Sequence, residues 1–316
     1  MDNLKKVGLT ALGTVLVAGQ AHAVTVGATA ATSITFLGQD NGDDGNGWSM
    51  TDSVTFSASG EMDNGFTIST KLELEGSNTA AGTSSVDTRN IVIDTGDMGK
   101  LTFSGDGSSG PVGSWDDMTP SANEEAHGVT INGTIKGATN AASTKNIFIY
   151  DYTVMDGLAF KASYTPSNGA TALDSSMDYG LMYTGMEGLT LYAAMGENNN
   201  AANSVDNTIF GVKYATDMGL TIGYQVNESD SQAASSDEDF TAIGVSYAVS
   251  DDLSISYNMS EIDLEGSTEN QEATGVSFSY TTGGLTISAT HSQVDNVGNA
   301  AAADNTAYEV NFGFAF

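Results

Sequence analysis

Charged side chains set between apolar neighbours are the residues of this chain best equipped to act on a solute. Lys71 and Glu73 alternate with Leu72 and Leu74, Lys161 lies between Phe160 and Ala162, and Lys213 lies between Val212 and Tyr214. Lys145 runs opposite in phase to Phe148, Tyr150 and Tyr152, and Glu309 sits between Tyr308 and Val310. A second group, Asp106, Asp116, Asp117, Glu124 and Glu125, crowds into one stretch between positions 105 and 145. Side chains of these types attract, repel and orient ions.

Bond-making chemistry is poorly supplied. The chain has no Cys and three His. A Ser-His-acid site would need His127 or His291 beside a nucleophile and an orienting carboxylate, and neither position is marked in that way. His127 reads as a solvated loop residue. There is no zinc-ligand spacing, no phosphate-binding glycine loop and no basic aromatic patch, so no enzyme activity and no nucleic-acid partner is expected. Asp40-Asn41-Gly42-Asp43-Asp44-Gly45 resembles a Ca²⁺ loop, but Thr51 stands where the bidentate Glu belongs. The expectation is no cofactor and no assigned metal ligand, with structural Ca²⁺ held by acidic loops left open.

The elements that must hold these charges follow from period-2 alternation. Tyr308, Val310, Phe312, Phe314 and Phe316 share one face, with Glu309, Asn311, Gly313 and Ala315 on the other. The apolar face stops at the carboxylate, as if it met lipid. At the other end Lys5 and Lys6 precede an apolar stretch, Val7 to Ala18, and then Ala21-His22-Ala23. That order reads as a signal peptide over residues 1–23, with the folded domain at 24–316. Removing Asp2, Lys5 and Lys6 turns 40 acids and 9 bases into 39 and 7, a net charge of −32. Such a surface repels nucleic acid and other polyanions and attracts cations.

A turn-then-Leu unit repeats. Leu158, Leu189, Leu220, Leu253 and Leu285 follow Gly- or Asp-rich turns at intervals of 31, 31, 33 and 32. Asp63-Asn64-Gly65 and Gly96-Asp97-Met98-Gly99 supply two earlier turns. Seven hairpins, a first strand from about Val24 to Leu37 and a last from about Thr306 to Phe316 make 16 strands. Short turns alternate with long polar loops, the asymmetry of transmembrane barrels. Leu101 to Leu158 spans 57 residues, about 25 beyond the regular repeat, and the excess falls in the third long loop. Loops of that length in a compact fold are commonly functional. Trp115 in this loop reads as a packing residue, and Trp48 as an interfacial girdle residue. Arg89, the sole arginine, shares the phase of Ile91 and Ile93 and so faces lipid or a neighbouring subunit.

The leader, the 16 strands, the oversized third loop and the terminal Phe together resemble the trimeric general porins of Gram-negative outer membranes. Gly96-Asp97-Met98-Gly99-Lys100-Leu101 is similar to a turn of the alphaproteobacterial type. The resemblance implies an all-β, 16-stranded antiparallel transmembrane barrel whose third loop, 105–145, folds into the lumen. Loop acids (Asp106, Asp116, Asp117, Glu124, Glu125) would then face a pore wall bearing Lys71, Glu73, Lys145, Lys161, Lys213 and Glu309. Phe316 would be an outer-membrane assembly signal. The family's basic cluster is usually arginine-rich, and this chain departs from that pattern. The expected function is passive diffusion of small hydrophilic solutes with cation preference. A porin selective for one nutrient class and a non-conducting surface barrel remain as alternatives. Expected partners are two further copies of the chain, joined through Val26, Ala28, Ala30, Thr32 and Ile34, together with outer-membrane lipid and lipopolysaccharide.

Overall fold

The computed structural model describes residues 24–40, 47–77, 85–129, 131–137, 139, 141, 142, 144–167, 169, 174–199 and 203–316. The segment read as a signal peptide and most of the Ca²⁺-like Asp40–Gly45 stretch lie outside these residues. No helix among those described is long and apolar enough to cross a membrane.

Sixteen strands form one closed antiparallel sheet in which each strand pairs with its sequence neighbours. They are β1 (Thr25–Gln39), β2 (Trp48–Glu61), β3 (Thr67–Ser77), β4 (Ser85–Asp94), β5 (Lys100–Asp106), β6 (Ile147–Met155), β7 (Leu158–Thr165) and β8 (Ser176–Met186). The second half runs β9 (Leu189–Asn198), β10 (Val205–Ala215), β11 (Leu220–Ser231), β12 (Glu238–Ala248), β13 (Leu253–Leu264), β14 (Gln271–Thr282), β15 (Leu285–Asp295) and β16 (Asn305–Ala315). The strand number read from the repeats is the number observed. The sheet closes where the terminal run meets the first strand: Ile34 pairs with Phe312 and Phe36 with Val310. Phe316 extends the ladder, its N–H donating to Ala30 O at 2.9 Å and its carbonyl accepting from Ala30 N at 3.2 Å. Closure leaves no unpaired edge, which a hydrocarbon environment requires.

Alternation divides the sheet into two faces. Ile222, Ile255 and Met259 are each 47% exposed, while their neighbours in the opposite phase, Gln225, Asn227 and Asn258, are at most 3% exposed. The apolar face is therefore the uncovered one, the inverse of a water-soluble core. Tight turns match the repeat, with Gly157 at φ 75° and Gly188 at φ 73°, a backbone shape that a side chain resists.

The long excursion between β5 and β6 begins with a short helix, α1 (Pro111–Trp115), opened by Pro at its first turn. It is slightly shorter than expected. β5 continues to Asp106, which pairs with Arg89 across a bulge, and the Ser104 hydroxyl donates to Asp106 O at 2.6 Å.

Candidate functional site

The segment from Gly107 to Asn146 touches the polar face of strand after strand. Lys161 Nζ on β7 donates to Ser114 Oγ at 2.9 Å. Asp178 on β8 accepts from Val112 N at 3.0 Å and also from Ser163 Oγ. Gln225 on β11 accepts from Met118 N at 2.9 Å and from Tyr192 Oη at 2.6 Å, and donates to Trp115 O at 3.0 Å. Asn258 on β13 donates to Pro120 O at 2.9 Å, Gln271 on β14 donates to Ile135 O at 2.8 Å, and Ser292 on β15 donates to Ala126 O at 2.6 Å. Neutral amides and hydroxyls make most of these bonds. Under a covering segment that is the economical choice, since a buried charge without a close partner is costly.

Apolar packing fixes the same segment near its start and at its middle. Val112 and Trp115 bury against Tyr192, Ala194 and Ile209. Ala126, Val129 and Ile131 bury against Ala273, Val294 and Ala307, with Leu37 packed on the edge. Four strand glycines trace the path between. A side chain would strike Trp115 at Gly180, Pro120 at Gly223 and Gly244, and Ala126 at Gly275. Interior strand glycine often marks close approach by another backbone. These glycines and the buried amides mark the docking path in the sequence, where charge alternation does not.

The charged residues fall into separate groups. Lys71 Nζ lies 2.8 Å from Glu73 Oε2 on the same strand. Glu73, Glu75 and Asp87 line a recess of about 360 Å³ with Ser33, Thr51 and Ser53. Asp106 and Lys145, expected on opposing sides of a passage, are instead neighbours, with Nζ 3.4 Å from Oδ2. The cause is that both stand at the mouth of the long excursion, where its two ends meet. Asp116 is tied down by Thr139 Oγ1 at 2.9 Å, and its carbonyl accepts from Asn227 Nδ2 at 2.8 Å. Asp117, Glu125 and Lys213 share a cavity of about 560 Å³ lined also by Pro120 and Ser121. Glu309 accepts from Asn311 Nδ2 at 2.6 Å and opposes Glu124 electrostatically. Arg89 is exposed on the apolar face beside Gly105.

Burial perturbs the acids of the segment. It raises the Asp116 carboxyl, against the Thr139 hydroxyl bond that lowers it. It raises Glu124, helped by the Glu309 charge. Glu125 is pushed up to about 8, by burial first and then by the adjoining Asp117 carboxylate, to which it is hydrogen-bonded.

Two residues depart from the sequence reading. His127 is buried rather than solvated: it is 2% exposed, lies edge-on to Phe240 at 5.2 Å, and places Nε2 3.7 Å from Asp117 Oδ1. The apolar ring of contacts recruits it. Lys136, which charge alternation does not single out, folds back within the segment to donate to Gly128 O at 2.6 Å. Trp48 stands on the apolar face, 52% exposed, stacked at a tilt on Phe36. Among the described residues no cluster of three or more His, Asp or Glu has the geometry to hold a metal ion.

The sequence profile described as Gram-negative porin matches residues 8–280. No curated protein sequence matches the chain. Solved structures share its fold at low identity. An anion-selective porin from Comamonas acidovorans has a TM-score of 0.70 at 11% identity, covering 94% of this chain and 100% of that one. A mutant porin of Rhodopseudomonas blastica has a TM-score of 0.66 at 15% identity, covering 93% and 100%. OmpT, an outer membrane protein of Vibrio cholerae, has a TM-score of 0.66 at 15% identity, covering 94% and 99%.

Proposed function

This chain belongs to the Gram-negative porin family, and from that premise we propose that it is a passive, cation-preferring diffusion channel for small hydrophilic solutes. The observation that carries the reading is the pairing of a closed 16-stranded sheet with one long segment fastened to its polar face on β7 through β15. A barrel of this size is wide enough for water. The segment crosses the interior and narrows it, and selection is then by size and field.

Charge supports the cation preference. The recess is lined by the acids Glu73, Glu75 and Asp87, with Lys71 paired to Glu73, and the whole chain carries a formal charge of −31. The Comamonas porin of the same fold is described as anion-selective, so the fold leaves the sign of selection to the side chains. Cleavage of the leader after Ala23 and assembly signalled by Phe316 belong to the same reading, as does kinship with the alphaproteobacterial type.

A homotrimer is part of the proposal. The apolar face of β1 carries small residues, and Arg89 and Asp52 also stand on that face, Asp52 in phase with Met50 and Val54. An arginine facing the bilayer midplane costs about 2–4 kcal/mol; pairing with a carboxylate of a second copy offsets that cost, where burial alone does not. Ca²⁺ and lipopolysaccharide at the acidic loop tips complete the expected partners.

Single-channel conductance of the purified protein, measured with a graded series of neutral solutes, tests the reading. The expected result is an open channel whose conductance recovers once the solute is too large to enter. Negligible conductance from the folded protein favours a structural surface barrel.

A further inference from the structure

On the polar face, near the tight-turn ends of β4 to β7, four directly paired residues alternate in charge. Asp94 pairs with Lys100, Lys100 with Asp151, and Asp151 with Lys161. Direct cross-strand partners share a face and stand about one strand spacing apart, roughly 4.8 Å. The row is not closed into ion pairs throughout. Lys100 Nζ goes to Asp94 Oδ2 at 3.0 Å and Lys161 Nζ goes to Ser114 Oγ at 2.9 Å. No ion pair among the described residues engages the Asp151 carboxylate, although it lies between two lysines. A lysine ammonium has three donors, so Lys100 and Lys161 each keep donors for another acceptor.

These three side chains open on a cavity of about 660 Å³ that also includes Asp97, Met182 and the indole of Trp115. The cavity therefore offers a carboxylate flanked on both sides by ammonium groups, next to an apolar surface. A metal ion or a halide would satisfy one sign of this row and oppose the other. A solute that carries an ammonium and a carboxylate a few bonds apart satisfies both.

We propose that this cavity is a subsite for small zwitterions of the amino-acid or short-peptide class. The ammonium sits on Asp151, the carboxylate on the flanking Lys161, and the apolar part against Trp115 and Met182. The inference deepens the channel reading and rests on it for access. It turns a general channel into one with a preferred solute class.

Trp48→Phe leaves Trp115 as the sole tryptophan, so its fluorescence reports on the cavity without any need for conduction. Glycylglycine, titrated into the refolded full chain, is expected to give a saturable change that erythritol does not give. Asp151→Asn, nearly identical in shape, is expected to weaken the apparent Kd at least tenfold, and glycylglycine is expected to block open-channel current over the same concentrations. Equal responses to glycylglycine and erythritol, or a titration unchanged by Asp151→Asn, overturn the subsite. A conducting channel with a silent Trp115 refutes the subsite and leaves the channel reading intact. A non-conducting protein whose Trp115 still titrates refutes the channel and upholds the subsite.

Discussion

The walls of this barrel differ by what covers them. From β7 to β15 the polar face lies under the 107–146 segment and presents Gln225, Asn227, Asn258, Gln271 and Ser292, all buried and all hydrogen-bonded to its backbone. From β1 to β4 the same face is open and presents Lys71, Glu73, Glu75 and Asp87. Backbone carbonyls and N–H groups can be satisfied by neutral donors and acceptors, and a net hydrogen bond of this kind contributes about 0.5–1.5 kcal/mol. A charge in the same place would lose its hydration for little return. Most charges therefore collect where water remains, the buried Asp178 being held by Val112 N and Ser163 Oγ, and in the channel proposed above the open wall is the route for ions. One wall holds the segment, and the other sets the field.

The largest effect should come from the covered wall. Gln225→Leu strips partners from Met118 N, Trp115 O and Tyr192 Oη together. Each buried polar group left unpaired costs about 1–3 kcal/mol, so the segment should loosen, with faster proteolysis within 107–146 and noisier, larger single-channel currents. Gly244→Val comes next, because a Cβ there meets Pro120 backbone, and overpacking costs about 1–3 kcal/mol. The matched change on the open side, Gly313→Val, meets nothing closer than Thr286 O at 3.9 Å and should leave conductance almost unchanged. If both glycines respond alike, the distinction between the walls fails.

A third, smaller effect depends on pH. Glu125, with its pKa raised to about 8, keeps its proton at neutral pH beside Asp117. The stability gained from a raised carboxyl is complete below the ordinary carboxyl range and is lost as pH rises through about 8. Above that, Glu125 adds its own negative charge to the cavity it shares with Asp117 and Lys213. Cation selectivity should therefore step up between pH 7 and 9, and Glu125→Gln should abolish the step. The smallest effect belongs to Lys71→Met. Its ion pair with Glu73 is 42% exposed on the lysine side, and exposed pairs contribute at most about 1 kcal/mol. Thermal stability should barely move, while cation permeability rises slightly.

Much of the barrel is legible in the sequence because lipid and water impose a strict period of two, and because turns must fall at a nearly constant interval. Tyr308 to Phe316 marks the closing strand without any knowledge of its partner. The segment's docking is less legible. Met118 meets Gln225 and Asn123 meets Thr290 across sequence separations of 107 and 167, and local alternation carries no information about such pairs. Gln225 and Asn258 look like any other polar position of a strand. Chain order sets Lys145 and Asp106 apart as opposing charges and hides that the ends of the excursion meet. The acids beside His127 in sequence imply a solvated ring, but its neighbour in space is Phe240.

The central claim is that ions follow the open wall and that its carboxylates choose their sign. Reversal potentials across a planar bilayer in a KCl gradient test it most directly, for the native chain and for the triple variant Glu73→Gln, Glu75→Gln, Asp87→Asn. The native channel should favour K⁺, and the variant should lose most of that preference while the segment stays docked. A native preference for Cl⁻, or a variant indistinguishable from the native channel, would contradict the account.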